Sequence, residues 1–187
     1  MKKFLLVFLL IILVLPMAIA PTSLSQNDRI EQYEFILSKE MKDAQFKLFV
    51  EHLGLKESNN HWRAVNPLGC IGKWQFSHAT LSALGYGDIT AGKFNSDSLL
   101  FPLDLQFKVL LTLFKINESL LSDYMNYVGD TIGGVLITKS GMLAAAHLGG
   151  AGSVQMYLLS NGRINNHDIN NTSIKNYLAE FSGYDIE

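Results

Sequence analysis

One carboxylate, a run of turn formers and a glutamine between two aromatic residues stand together between positions 57 and 76. The stretch reads Glu57-Ser58-Asn59-Asn60-His61-Trp62-Arg63-Ala64-Val65-Asn66-Pro67-Leu68-Gly69-Cys70-Ile71-Gly72-Lys73-Trp74-Gln75-Phe76. Upstream, Phe46, Phe49, Val50 and Leu53 recur at the spacing of one buried helical stripe, and one more turn of that stripe reaches Glu57. A glutamate there sits at the C-terminal end of a helix, on its apolar side. Burial disfavours the charged carboxylate, and the negative end of the helix dipole repels it. Both effects keep a proton on the acid, as general acid catalysis near neutral pH requires. Ser58 can offer its hydroxyl to that carboxyl or to the turn. A helix-end glutamate that simply turns to water is the plainer alternative, and the residues downstream decide between them.

The elements that must position this acid are mostly helical. The chain has 187 residues, 48% of them hydrophobic, with 11 Phe and 7 Tyr. That is enough to build a core and argues against disorder. From Asp28 the pattern is helical, with Ile30, Tyr33, Ile36 and Leu37 before the stripe that leads to Glu57; Gly54 weakens it locally. Residues 59–76 lack periodicity and read as loop, with room for a short β-hairpin. Ser77 to Leu84 is predicted to be a short helix closed by Gly85. Residues 85–100 read as loop. Pro102 is predicted to open a long helix to about Tyr127, with Leu103, Phe107, Leu110, Leu111 and Phe114 as its apolar face. The stretch from Gly129 to Gly134 breaks the pattern. Ser140 is expected to cap a helix over Met142 to Leu148; others are expected over Ser153 to Leu159 and Ser173 to Phe181.

The first twenty residues have a different character. Lys2 and Lys3 precede an uncharged apolar run from Phe4, and Ala18-Ile19-Ala20 has the small-x-small form of a signal peptidase site. This predicts export. Pro21, directly after that site, is expected to hinder cleavage, and an uncleaved membrane anchor is then the alternative. Residues 1–20 are accordingly read as a signal peptide or anchor, 21–27 as a linker and 28–187 as one domain. The net charge of −2 leaves no electrostatic footprint for nucleic acid. The single cysteine, Cys70, excludes a disulfide framework, and the five histidines form no metal-binding spacing. No cofactor is expected, and Cys70 reads as a small apolar filler rather than a nucleophile.

Two windows carry a resemblance. Glu57-Ser58, Ala64-Val65, Pro67, Gly69, Gly72 and Gln75 are similar to the Glu-Ser, Ala-Val and Gly-x-x-Gln segments of soluble lytic transglycosylases. Ala146-His147-Leu148-Gly149-Gly150-Ala151-Gly152-Ser153-Val154 resembles that family's Ala-Tyr-Asn-x-Gly-x-Gly-x-Val. The resemblance covers about residues 45–160, is dense only in these windows, and departs at His147 and Leu148, where the family has tyrosine and asparagine.

The resemblance implies a mainly α, lysozyme-like single domain with at most a small β-hairpin. It implies cleavage of the β-1,4 bond between N-acetylmuramic acid and N-acetylglucosamine in peptidoglycan, with Glu57 as general acid and then base. Ser58, Gly72, Trp74, Gln75 and His147 would line the glycan: Gln75 bonding an N-acetyl group, an aromatic such as Trp74 stacking on a sugar, and His147 supporting Glu57 in place of the tyrosine. The plainer alternatives are core roles for Trp74 and Phe76 and an ordinary helix histidine at 147. The expected partner is the glycan strand, with the membrane touched only through an uncleaved leader. A lysozyme-type hydrolase would need a second carboxylate, for which Asp88 and Asp97 are the candidates. A non-catalytic glycan-binding or envelope-assembly module is the reading from another class.

Overall fold

The computed structural model describes residues 26–186, so the expectations for the leader and for residues 21–25 lie outside the described residues. The chain divides after Met41 into two units. Helix α1 (Gln26–Ser58) begins in the first unit and ends in the second, which starts at Lys42. The helix starts two residues before Asp28. The side chains of Ile30, Tyr33, Ile36 and Leu37 lie outside the described ones.

The second unit is mainly helical, as its periodicity predicts. Helices α2 (His78–Ala83) and α3 (Ala91–Ser96) are short, and a 3₁₀ turn at Ser98–Leu100 leads into α4 (Leu103–Leu120). A second 3₁₀ segment, Ser122–Tyr127, precedes an antiparallel pair, β1 (Thr131–Ile132) and β2 (Val135–Leu136). Helices α5 (Lys139–Gly149), α6 (Ala151–Leu159) and α7 (Ile174–Glu180) complete the order.

Helix α5 is the centre. Seven consecutive residues, Ser140 to Ala146, are buried, so α5 is covered on every side, against α4, α6 and α7. Small residues let α7 approach closely. A Cβ on Gly141 would stand 2.7 Å from the Leu178 carbonyl oxygen, and one on Gly149 would stand 2.7 Å from Ile174 Cδ1. Phe49, Val50 and Leu53 of α1 are buried as the stripe predicts, with Phe49 against Phe114 of α4 and Phe181 after α7.

Several local expectations are corrected. Thr138, not Ser140, caps α5: its hydroxyl accepts from Gly141 N, while Ser140 is wholly buried inside the helix. Helix α4 ends at Leu120, not Tyr127. Its inward face is Gln106, Val109, Leu110, Phe114 and Asn117, with Leu103 and Phe107 exposed. The loop expected over 85–100 contains α3, started by the Thr90 hydroxyl accepting from Lys93 N. The two-stranded pair lies in the stretch read as a break, around Gly133-Gly134; within residues 59–76 only single bridges occur, Val65 with Ile71 and Ile71 with Phe76. Helices α2 and α7 fall where Ser77 and Ser173 place their caps, and at α7 Asn176 answers Ser173 in a capping box.

Candidate functional site

Glu57 stands in the last turn of α1, on the wall of a cavity of about 650 Å³. It is half-buried, and its Oε1 accepts a 2.6 Å hydrogen bond from the Tyr177 hydroxyl, 120 positions away on α7. Burial, first, and then the Glu57 charge with its hydrogen bond hold the Tyr177 phenol far above its ordinary pKa. The phenol therefore keeps its proton and remains a donor. Sequence reasoning missed Tyr177. The Ser173 cap locates α7, but no local pattern ties it to the end of α1.

The loop after Glu57 is pinned from three sides. Ser58 Oγ donates to the Lys73 carbonyl at 2.7 Å and accepts from His61 N at 3.0 Å. Ser58 thus clamps the loop to the helix end and does not line the cavity, which corrects its expected contact with the glycan. Gly54 leaves room for the loop: a Cβ there would stand 2.5 Å from both Lys73 Cε and Asn60 Oδ1. Lys73 reaches on to both Glu51 oxygens at 2.8 Å. From the far side comes Gln106, fully buried. It accepts from Lys73 N at 2.7 Å and donates to the carbonyls of Trp62 and Phe101 at 2.9 and 2.8 Å. Gly72 has φ +84°, and a Cβ on it would stand 2.5 Å from Gln106 Oε1. Gly72 thus packs closely against Gln106 and is not among the residues that line the cavity.

This fold of the loop separates Trp74 from Gln75. Gln75 lines the cavity, in the left-handed region at φ +49°, and its Nε2 donates to the Gly72 carbonyl at 2.8 Å. Trp74 is buried, donates from Nε1 to the Val50 carbonyl at 3.0 Å, and borders a separate groove with Phe46 and Phe107. The expected stacking of Trp74 on a sugar in the Glu57 cavity is therefore corrected: its ring packs in the core. Phe76 is buried too, edge-on to His147. His147 does line the cavity, but its Nε2 donates to the Trp74 carbonyl at 2.8 Å, not to Glu57. The bond expected from position 147 to the acid is supplied by Tyr177.

The second carboxylate on the cavity is Asp168, which sequence reasoning also missed. Its Oδ1 accepts from Asn170 N and Thr172 N at 2.9 and 2.7 Å, and its charge contributes to raising Tyr177. Asp88 and Asp97 do not line the cavity; Asp97 starts the 3₁₀ turn by accepting from Leu99 N at 3.0 Å. Cys70 borders the cavity half-buried. Desolvation first, with some help from the Glu57 charge and against a hydrogen bond with Asn66, raises its pKa and keeps it a thiol. Among the described residues, no group of three or more His, Cys, Asp or Glu is placed to hold a metal ion, and no helix is long and apolar enough to cross a membrane.

Compared with known proteins, the chain matches no family model, no curated protein and no solved structure.

Proposed function

We propose that this chain is an exported, lysozyme-like enzyme that cleaves the glycan strands of peptidoglycan as a lytic transglycosylase, with Glu57 as general acid and base. The observation that carries the reading is the Glu57 carboxyl on a cavity wall, oriented by the Tyr177 hydroxyl. The Glu-Ser and Gly-x-x-Gln windows support it, since Glu57 and Gln75 border the same cavity. Glu57 gives its proton to the glycosidic oxygen as the bond to C1 of the muramic sugar breaks. The resulting carboxylate then takes the proton of the 6-hydroxyl as that oxygen bonds to C1, closing a 1,6-anhydro ring. The nucleophile is already tethered, so its attack is effectively unimolecular. Tyr177 holds the carboxyl in place through both steps.

Asp168 favours a second reading, the hydrolase, because it puts another carboxylate on the cavity. Retaining and inverting hydrolases need the partner carboxyl at about 5 Å and about 6.5–9.5 Å. Asp168 already has a structural task, closing its own turn with two backbone N–H groups, and the transglycosylase reading leaves it there. Mass analysis of products from purified peptidoglycan decides. We expect anhydromuramyl ends and an Asp168→Asn variant that keeps most activity. Reducing muramic ends with an inactive Asp168→Asn would establish the hydrolase. Intact glycan after treatment with folded protein would leave the non-catalytic glycan-binding module.

Tyr177→Phe tests the orientation of the acid. It deletes the 2.6 Å hydrogen bond that orients the Glu57 carboxyl, and the expected result is a rate lower by about ten-fold with KM little changed. The raised phenol pKa adds a pH signature. Below about pH 10 the folded and unfolded states both hold that proton, so the stability is fully present; above it the unfolded chain sheds the proton while the folded one cannot, and stability falls. Denaturation at increasing alkaline pH should show a smaller loss in Tyr177→Phe than in wild type. Equal losses and an unchanged rate would remove Tyr177 from this role.

A further inference from the structure

A second groove lies apart from the Glu57 cavity and shares no lining residue with it. Phe46 and Val50 of α1 border it on one side, Leu103 and Phe107 of α4 on the other, around a space of about 690 Å³. Trp74 joins the two sides. It donates to the Val50 carbonyl at 3.0 Å, and its ring centroid lies 6.0 Å from that of Phe107. The lining is almost wholly apolar, so it offers little to the hydroxyls of a sugar.

The apolar surface continues past the α4 rim. Leu103 and Phe107 are 43% and 37% exposed, and in the 3₁₀ turn just before α4, Leu99 and Leu100 are 70% and 46% exposed. A lone exposed leucine is ordinary. Four large apolar residues on one turn and the helix it leads into, beside an open groove, make a patch. The charges on the groove are divided. On α1, Glu51 is paired with Lys73 at 2.8 Å, which leaves Lys47; on α4 stands Asp104. Lys47 and Asp104 are exposed, and neither forms an ion pair among the described residues.

That division selects an occupant. A surface covering the groove must set an anion over α1, a cation over α4 and apolar side chains between them. This face does so for a copy of itself. Turned over about a two-fold axis lying along the groove, it brings Lys47 of each copy to Asp104 of the other, and both pairs form together. We propose that the groove is the contact through which two copies of this chain pair, the apolar rim of each seated on the groove of the other. Apolar and aromatic residues then form the centre and the two ion pairs the edge, as in protein interfaces generally. The proposal does not depend on the reading of Glu57.

Two measurements on the full chain test it. Sedimentation equilibrium should show a dimer whose dissociation constant rises about ten-fold or more in Lys47→Glu and in Asp104→Lys, since each reversal sets like charges together twice. The double variant Lys47→Glu/Asp104→Lys restores both pairs with their signs exchanged and should recover most of the affinity. The second measurement needs no reversed charge. In a Cys70→Ser background, chains carrying Lys47→Cys and chains carrying Asp104→Cys, each with its own tag, are co-expressed and treated with a short bismaleimide. Each chain then has one thiol, so any bridge is between copies. A product joining the two tags in greater yield than either variant gives alone is expected. A monomer at every concentration, single reversals that leave the dimer unchanged, or a double variant no better than either single one would overturn the pairing. Should the reversed chains not fold, absence of the mixed product would do the same. A monomer whose Trp74 fluorescence is quenched by a brominated fatty acid would assign the groove to an acyl chain and overturn it too.

Discussion

Glu57→Gln is expected to remove cell-wall cleavage, by a factor on the order of 10² to 10⁴, while leaving the fold in place. The amide has nearly the shape of the acid, and its oxygen can still accept the 2.6 Å hydrogen bond from Tyr177. Lys56, the residue before it, keeps its 2.8 Å contact with Glu180, so the end of α1 stays tied to α7. What is lost is the proton. The variant can neither protonate the leaving oxygen nor accept the proton of the attacking hydroxyl, and both halves of the proposed reaction depend on that exchange. Loss of turbidity in a cell-wall suspension, read beside thermal unfolding, separates chemistry from stability. A variant with near wild-type clearing would sink the assignment of Glu57. A variant inactive because it unfolds would show instead that the carboxyl is structural.

Legibility in the sequence depends on whether the signal is local. The stripe from Phe46 to Leu53 is a 3.6-residue period, and three of its four residues are buried while Phe46 packs at the edge. The caps at Ser77 and Ser173 are short-range hydrogen bonds and are legible for the same reason. Helix α4 is hard to read because two of its inward residues, Gln106 and Asn117, are polar, while Leu103 and Phe107 at its start are exposed; an exposed leucine is ordinary, and a buried amide is the informative residue. The β pair is signalled by Gly133-Gly134 between Ile132 and Val135, a turn pattern that reads only as a break when its flanks are two residues long. Glu57 and Gln75 can be singled out because their residue types and spacing are unusual. Trp74 cannot be separated from Gln75 by alternation, since Gln75 is left-handed and the strand rule of opposite faces does not apply there. Tyr177, Asp168 and Asn117 reach the cavity only through tertiary packing.

Gln106→Leu should show how far the site depends on a residue that does not line its cavity. Leucine nearly fills the same volume, so the core is not emptied. It replaces none of the three hydrogen bonds. The Lys73 N–H and the carbonyls of Trp62 and Phe101 are left facing apolar atoms. Each unpaired buried group costs about 1–3 kcal/mol, which sets the loss at about 3 kcal/mol or more. For a chain of this size that lowers the melting temperature by roughly 10 °C. The same bonds fix the turn that carries Gly72 and Gln75. With Lys73 N released, Gln75 loses its register on the cavity it shares with Glu57. Activity assayed well below the new melting temperature should therefore fall by about ten-fold or more, since small misplacements at a reacting centre are costly. An unchanged melting temperature would mean that water or a shifted backbone satisfies the three groups. A lowered one with full activity per folded molecule would mean that the turn holds its shape without Gln106, through the 2.7 Å bond of Ser58 to the Lys73 carbonyl and the backbone bonds of Gly72 to Ala64 and of Ile71 to Phe76.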